Sequence, residues 1–178
     1  INFLKQLILN LDSQNFNSNN SDMFELKIYK KFRDTKDVRF FDISIINSNF
    51  RDLVIHSGPA ISPPNDDKNN WQFYIHHKQE DNLLAINGGR TFFLVNFGWE
   101  YPFYKVRLEA CGLILKIPKG TYHRSISDKN GSIVLNQAVR DKSGSVESEF
   151  KVINSFDNKK LFDCINTLEP KTKLLSIK

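Results

Sequence analysis

Short runs that alternate apolar and polar residues, each bounded by turn residues, constrain this chain more than any other feature. Phe24 to Lys30, Trp71 to His77 and Gly112 to Ile117 are three such runs, and Gly, Pro, Asn and Asp residues separate them. Alternation with a period of two is the pattern of a half-buried strand, and many short strands are typical of a sandwich or a barrel. The sequence therefore predicts an all-β domain.

Two glycine-containing segments within this series predict turns. Asn87 and Gly88 follow a strand at 82–86 and precede one at 91–97, which predicts a tight hairpin because both central residues of such a turn need positive φ. Residues 128–132 (DKNGS) predict a second turn between two barrel strands.

The two ends of the chain predict short helices. Ile1 to Leu11 has apolar residues at helical spacing and precedes a polar loop, whereas Ser155 is expected to cap a helix that ends before Pro170. The expected segments are a helix and loop at 1–22, a β-barrel at 23–152, and a helix with a basic tail at 153–178.

Composition and charge favour a cytoplasmic globular protein. No apolar run approaches the roughly 18 residues of a membrane helix, and the first residues lack the features of a signal peptide. Cys111 and Cys164 form no CxxC pair, which favours two reduced thiols. The net charge is +5, but the basic residues are scattered with no run of five or more, which disfavours nucleic-acid binding.

The run from Gly112 to His123 has restricted residue types at fixed spacing. Five residues separate Gly112 from Pro118, one separates Pro118 from Gly120, and two separate Gly120 from His123. The run resembles the second motif of the cupin superfamily, the RmlC-like proteins. The resemblance implies a strand, a turn at the barrel rim formed by Pro118 and Gly120, and a second strand that begins with His123 pointing inward. The resemblance implies a jelly-roll β-barrel that binds a small molecule in its interior.

The first cupin motif is only partly matched. Asp81 lies six residues before Gly88, where the family has Glu, and His77 then takes the position of the second His, with Ile75 at the first. In an alternative register, His76 takes the second His position and Tyr74 the first. Because neighbouring residues of a strand point to opposite faces, at most one of the two histidines looks into the barrel.

Cupins that bind Fe, Mn, Ni or Zn commonly use histidines and a carboxylate from these two motifs. The resemblance therefore implies a divalent-metal set of His77, Asp81 and His123, with His76, Gln79 or Glu80 as alternates. Asp is one methylene shorter than Glu, so the set would have to draw closer together. His56 could complete the site only if its strand brings it near.

Three functional hypotheses follow from the resemblance. The first is a metal-dependent oxygenase or isomerase, with His77, His123 and Tyr122 as candidate catalytic residues. The second is a metal-free sugar-nucleotide epimerase or ketoisomerase, similar to the dTDP-4-dehydrorhamnose 3,5-epimerases. In that hypothesis, His76 or His77 is the base and Tyr74 or Tyr122 the acid, while Arg90 and Arg124 bind phosphate. The third is a non-catalytic ligand-binding cupin.

Association and core packing complete the expectations. Cupin-like chains often pair, so a homodimer is expected, with the N-terminal extension covering a sheet edge or contacting the partner. The aromatic residues are expected to serve as core and dimer packing. They are Phe92, Phe93, Phe97, Trp99, Tyr101, Phe103 and Tyr104.

Overall fold

The computed structural model describes residues 23–110 and 112–174. The helix expected at Ile1 to Leu11 and the side chain of Cys111 lie outside these residues, whereas Cys164 is a buried free cysteine. Among the helices described, none is long and apolar enough to cross a membrane.

Most of the described chain is β-strand. The strands are β1 (Glu25–Ile28), β2 (Lys30–Asp34), β3 (Arg39–Asp42), β4 (Phe50–His56), β5 (Ile61–Ser62), β6 (Gln72–Ile75), β7 (Gln79–Val95), β8 (Phe103–Glu109), β9 (Leu113–Ile117), β10 (Tyr122–Arg140), β11 (Val152–Asn154) and β12 (Lys171–Leu174). The helices are α1 (Val146–Glu149) and α2 (Lys159–Thr167), with a 3-10 turn at Ser155–Asp157.

The long strands β7 and β10 are the central pair of the fold. They run antiparallel over their whole length, from Tyr122 opposite Val95 to Arg140 opposite Gln79. At 17 and 19 residues they are about three times the usual strand length. Each strand therefore contributes to both halves of the sheet that surrounds them.

The shorter strands extend this pair into one ten-stranded sheet with two halves. In the first half, β9 and then β1 lie beside the start of β7, while β4 lies beside the end of β10. In the second half, β8 and β12 lie beside the end of β7, and β5 and β6 lie beside the start of β10, with β11 next to β6. Strands β2 and β3 form a separate hairpin.

The two halves of the sheet fold over a common apolar core. Leu83 and Leu115 of the first half pack in the same cluster as Leu94 and Val106 of the second. Side chains of both halves can share one cluster only if the sheet closes upon itself. A second cluster on the outer face of the second half packs under Leu161 of α2. The predicted all-β barrel with a short C-terminal helix is confirmed.

Both predicted turns are wrong, because they are bends within continuous strands. Gly88 and Gly131 have φ of 65° and 81°, and the β7–β10 register shifts between Ser127 and Ser132. A Cβ atom on Gly88 would lie 2.4 Å from the carbonyl oxygen of Gly131. The glycines let two paired backbones approach closely where both bend from one half of the sheet into the other.

The C-terminal segment also differs from the prediction. Asn158, rather than Ser155, caps α2 by accepting a hydrogen bond from the amide of Leu161 at 3.1 Å. Beyond Pro170, the segment expected to be a basic tail is strand β12, which pairs in parallel with β8. Because β8 otherwise has only β7 as a neighbour, its second edge is open to this pairing.

Replacing Gly131 by alanine should destabilise the protein far more than replacing Gly120, although both have positive φ. A Cβ at position 131 would lie 2.2 Å from the carbonyl oxygen of His56, whereas one at position 120 meets nothing within 4 Å. Urea unfolding should show a loss of about 1 kcal/mol for Gly120→Ala and at least about 3 kcal/mol for Gly131→Ala. Equal losses would contradict the close approach at the bend.

Candidate active site

The inward faces of three strand ends bring His76, Asp81 and His123 together. His76 directly follows β6, Asp81 is the third residue of β7, and His123 is the second residue of β10. The segment from Gly112 to His123 forms β9, a rim turn and the start of β10, as the resemblance implies. His76, Asp81 and His123 are 4%, 3% and 7% exposed, so the cluster lies in the barrel interior.

The structure adopts the alternative register of the first motif. Phe73 packs in the outer cluster beneath α2, so the alternation along β6 turns Tyr74 and His76 inward and leaves His77 exposed. His77 therefore does not lie with Asp81 and His123, and the expected set of these three residues is not brought together. The expectation that only one of the adjacent histidines faces the interior is confirmed.

The three side chains converge on one oxygen atom. The Nε2 atom of His76 lies 3.2 Å from Oδ2 of Asp81, and the Nε2 atom of His123 lies 3.8 Å from the same oxygen. One ligand atom from each residue falls within 4.8 Å of the other two. The cluster can therefore bind a proton or a cation between the three groups.

Both ring nitrogens of His76 face hydrogen-bond acceptors. Nδ1 contacts the carbonyl oxygen of Glu149, and Nε2 contacts the carboxylate of Asp81. An imidazole can donate from both nitrogens only when it is charged. Burial opposes the charge on His76, but Asp81 and Glu149 raise its pKa above the ordinary value. Burial likewise opposes the charge on Asp81, but His76 and His123 lower its pKa to about 2. The contacts of His76 and the opposite pKa shifts of the two groups favour an imidazolium–carboxylate pair.

His123 has the opposite protonation state. Its Nδ1 donates to the carbonyl oxygen of Thr121 at 3.1 Å, which leaves the lone pair of Nε2 facing the cluster. Burial, together with the charge on His76, lowers the pKa of His123 to about 4. The pKa shifts of the two histidines therefore run in opposite directions, which favours His76 as a proton donor and leaves Nε2 of His123 available as a base.

Amide side chains support Asp81 from the side opposite the histidines. Oδ1 of Asp81 accepts hydrogen bonds from Gln79 at 2.7 Å and from Asn136 at 2.8 Å. Arg140 in turn donates to the amide oxygen of Gln79 at 2.7 Å. Gln79 thus contacts the cluster as a partner of the carboxylate, whereas Glu80 turns away and pairs with Lys116 at 3.3 Å.

Glu149 and Phe150, here called the cover, lie over the cluster at the end of the barrel. The backbone of Glu149 contacts His76, and the ring of Phe150 lies 5.3 Å from that of His76 and 6.1 Å from that of Tyr74. The Glu149 carboxylate accepts from the amide of Lys78 at 2.9 Å, which fixes α1 against the start of β7. The Phe150 ring therefore packs directly against the residues of the cluster.

Several residues expected at the site lie elsewhere. Tyr122 precedes the inward His123 and therefore faces outward, where it contacts Phe73 and accepts from Asn158 at 3.1 Å. Arg124 also faces outward and stacks on Trp71 at 4.4 Å. The two candidates therefore lie on the opposite face of β10 from His123, because side chains alternate along the strand.

Two further residues occupy another part of the interior. His56 bonds to Ser127 at 2.6 Å, and Ser127 bonds to Ser132 at 2.7 Å. Ser132 accepts from Arg90 at 2.6 Å, so these four side chains form a chain that does not include Asp81. Arg90 does face inward, as a phosphate-binding residue would have to.

An open groove of about 240 Å³ lies away from the histidines. Trp71, Ser155 and Phe162 line it on the outer face of the second half of the sheet. It lacks titratable side chains, so the buried cluster, rather than this groove, is the candidate active site.

The sequence does not point to the cover or to all of the amide side chains that bond to Asp81. No motif singles out Glu149 or Phe150, which reach His76 only through the path of the chain after β10. Ser145 and Ser148 form a reciprocal capping box that starts α1, and this pattern was the available signal. Of the adjacent amides Asn136 and Gln137 on β10, the register turns Asn136 towards Asp81.

The sequence matches no protein-family model and no curated protein. Solved structures do match. A 3,4-ketoisomerase from Helicobacter canadensis has a TM-score of 0.56 at 13% identity, over 80% of this chain and 97% of that chain. A variant of the 3,4-ketoisomerase QdtA from Thermoanaerobacterium thermosaccharolyticum, in complex with TDP-4-keto-6-deoxyglucose, has a TM-score of 0.54 at 13% identity, over 81% and 95%. The rmlC epimerase of Mycobacterium tuberculosis has a TM-score of 0.56 at 9% identity, over 88% and 82%.

At these identities the likeness concerns the fold. The similar structures are RmlC-like sugar epimerases and ketoisomerases, and their barrels align over most of this chain. The chain therefore has the RmlC-like cupin fold that the run from Gly112 to His123 predicts.

Acidification should destabilise the protein through His56 and His123. Burial lowers the pKa of each to about 4. An unfolded histidine has a pKa near 6.5, so their contribution is complete above that pH and is lost as the pH falls from 6.5 towards 4. Between pH 7 and 4.5, each should lower the free energy of unfolding by roughly 1–2 kcal/mol.

The measurement is urea unfolding of the wild type and His56→Asn at both pH values. Asparagine does not titrate, and its oxygen can still accept from Ser127, so this variant should lose less stability on acidification. His77→Asn, at an exposed position, should behave as the wild type does. A His56→Asn variant with the full wild-type pH dependence would show that His56 is not neutral in the folded protein.

Proposed function

We propose that this protein is a metal-free isomerase or epimerase that moves a proton at a carbon next to the carbonyl group of a nucleotide-linked keto sugar. The observation that carries the proposal is the buried cluster in which His76 and His123 share Asp81, with the pKa of His76 raised and that of His123 lowered to about 4. Acid–base catalysis of this kind needs a base and an acid on one reacting group.

The protonation states assign the two roles. Nε2 of His123 takes the proton from the carbon next to the carbonyl, and the electron pair of the broken C–H bond forms the C=C bond of an enol. Nε2–H of His76 gives its proton to the carbonyl oxygen, whose π electrons become the new O–H bond. Return of a proton to carbon and removal of a hydroxyl proton then give the isomer and regenerate both histidines.

Asp81 keeps the cluster in its reactive state. Its carboxylate balances the charge of His76, and two amides orient it through Oδ1. Tyr74 lies with its ring 6.0 Å from that of His123 and is a further candidate acid for the opposite face of the sugar. This assignment retains one of the two tyrosines that the sequence offered.

The fold and a buried cation support the substrate class. One solved structure with this fold is in complex with TDP-4-keto-6-deoxyglucose, and Arg90 faces the same barrel interior without a carboxylate partner among the described residues. Entry of such a ligand requires the segment that carries Glu149 and Phe150 to open. The same opening removes a hydrogen bond from Nδ1 of His76.

The test is proton exchange in D2O with TDP-4-keto-6-deoxyglucose, followed by ¹H NMR. The protein should replace the proton next to the ketone with deuterium, with or without EDTA. His76→Asn and His123→Asn should each lower the rate by about 10²–10⁴-fold because each removes one proton-transfer group. His77→Asn is the matched control and should keep the wild-type rate.

Two results would contradict this function. The first is a wild-type protein that leaves the sugar protons unexchanged. The second is a His77→Asn variant as impaired as His123→Asn, since the exposed ring cannot reach the same reacting carbon as the buried one.

A divalent-metal site is the second candidate, because the donor atoms fit one. The Nδ1 atoms of His76 and His123 both bond to backbone carbonyls, an arrangement that in metalloproteins directs Nε2 towards the ion. Imidazole and carboxylate donors suit Fe, Mn, Ni or Zn. His76, Asp81 and His123 would hold the ion, which would supply Lewis acidity to a bound carbonyl.

Metal binding at this cluster should release a proton. Nε2 of His76 is protonated against Asp81, so the ion must displace that proton, and affinity should increase by up to about tenfold per pH unit. Calorimetric titration with Zn²⁺ in buffers of different ionisation enthalpy measures the proton count. His123→Asn should abolish binding and His77→Asn should preserve it.

EDTA separates the two candidates. Exchange activity that survives EDTA supports the metal-free reaction, whereas activity lost to EDTA and restored by a metal ion supports the second candidate. Zn²⁺ binding without proton release, or binding that persists in His123→Asn, would place the ion elsewhere.

A further inference from the structure

Two charged side chains beside the cluster each keep one buried atom without a hydrogen bond. Among the described residues, Oδ2 of Asp52 and Nη2 of Arg140 are shielded from solvent and have no partner. No ion pair within 4.0 Å joins the two side chains in this part of the chain. Leaving charged groups buried and unpaired is costly, so such atoms point to a group that completes them.

The strand register places both side chains on the interior face. Asp52 on β4 lies opposite Asn136 on β10, and Phe50 lies opposite Ala138, so these residues share the face that Arg140 continues two positions later. The guanidinium of Arg140 stacks on the ring of Phe50 at 3.6 Å, which directs it towards β4, the strand that carries Asp52.

Hydrogen bonds connect Arg140 to the cluster, and Asp52 lies opposite Asn136, which contacts the cluster. Nε of Arg140 donates to Gln79, which donates to Asp81, and Asn136 donates to Asp81 from the strand next to Asp52. A ligand whose reacting carbon lies at His123 would therefore extend its neighbouring atoms towards Asp52 and Arg140.

The two atoms without a partner require different hydrogen-bonding groups. A carboxylate oxygen only accepts a hydrogen bond, and a guanidinium nitrogen only donates one. A hydroxyl group can serve both at once, because it donates one hydrogen bond and accepts another. A carboxylate or phosphate of the ligand would be repelled by Asp52, and an ammonium group would be repelled by Arg140.

We propose that Asp52 and Arg140 form a subsite that recognises a hydroxyl group on the sugar ring that the histidines act upon. The inference rests on the proposed function for the position of the sugar. Its specificity follows from the chemistry of the pair: a ligand without that hydroxyl leaves one buried atom of each side chain without a hydrogen bond and binds more weakly.

The test combines a variant with ligands that lack one hydroxyl. TDP-glucose and TDP sugars deoxygenated at C2 or at C3 are titrated calorimetrically into the wild type and into Asp52→Asn. On the wild type, one of the two deoxy ligands should bind at least about tenfold more weakly than TDP-glucose, because it loses a charge-assisted hydrogen bond. On Asp52→Asn, the difference should fall to less than about threefold, since the acceptor charge is gone.

Asp163→Asn is the matched control because Asp163 is an exposed aspartate on α2, paired with Lys159 at 2.6 Å. It should keep the wild-type preference for the hydroxylated ligand. Circular dichroism of Asp52→Asn confirms that the variant folds, and Asp52→Ser provides a second variant that keeps a small polar group.

Three results would overturn the inference. They are deoxy ligands that bind the wild type as well as TDP-glucose does, a preference that persists unchanged in both Asp52 variants, and a wild type that binds none of these sugars. A water molecule that permanently bridges Asp52 and Arg140 would give the first result. Exchange activity without hydroxyl preference would overturn this inference alone, whereas a hydroxyl preference without exchange activity would overturn the proposed reaction alone.

Discussion

The continuous pairing of β7 with β10 is the constraint on which the rest of the structure depends. Both strands pass through the two halves of the sheet, and Gly88 and Gly131 let them bend together while they stay paired. The pairing also places Gln79 opposite Arg140 and positions Asn136 beside Asp81. The polar cluster therefore depends on a ladder whose bends lie several residues away.

The sequence predicted the architecture well where local pattern and fold agree. The spacing from Gly112 to His123 corresponds to one strand, one rim turn and one inward histidine, so it could be interpreted without the rest of the chain. The bends were mistaken for turns because glycine and asparagine have the same local preferences in both. Only the partner strand distinguishes a bend from a turn, and a local pattern carries no information about the partner.

The candidate site was also predictable only where local spacing was sufficient. Asp81 and His123 could be located from motif spacing, whereas the choice between His76 and His77 depended on which face of β6 packs under α2. Contacts made by Glu149, Phe150 and Asp52 arise between segments far apart in sequence. Outward placement of Tyr122 and Arg124 follows from the inward His123 by simple alternation.

The electrostatics of the site favour different protonation states for two histidines that share one carboxylate. Burial affects both rings, but His76 lies nearer to Asp81 and has acceptors at both nitrogens, whereas His123 has a carbonyl at one nitrogen only. The most direct measurement is ¹⁵N NMR of histidine-labelled protein at pH 7. We expect His76 to be protonated at both nitrogens and His123 at Nδ1 only. Two neutral rings, or a charged His123 beside a neutral His76, would contradict this expectation.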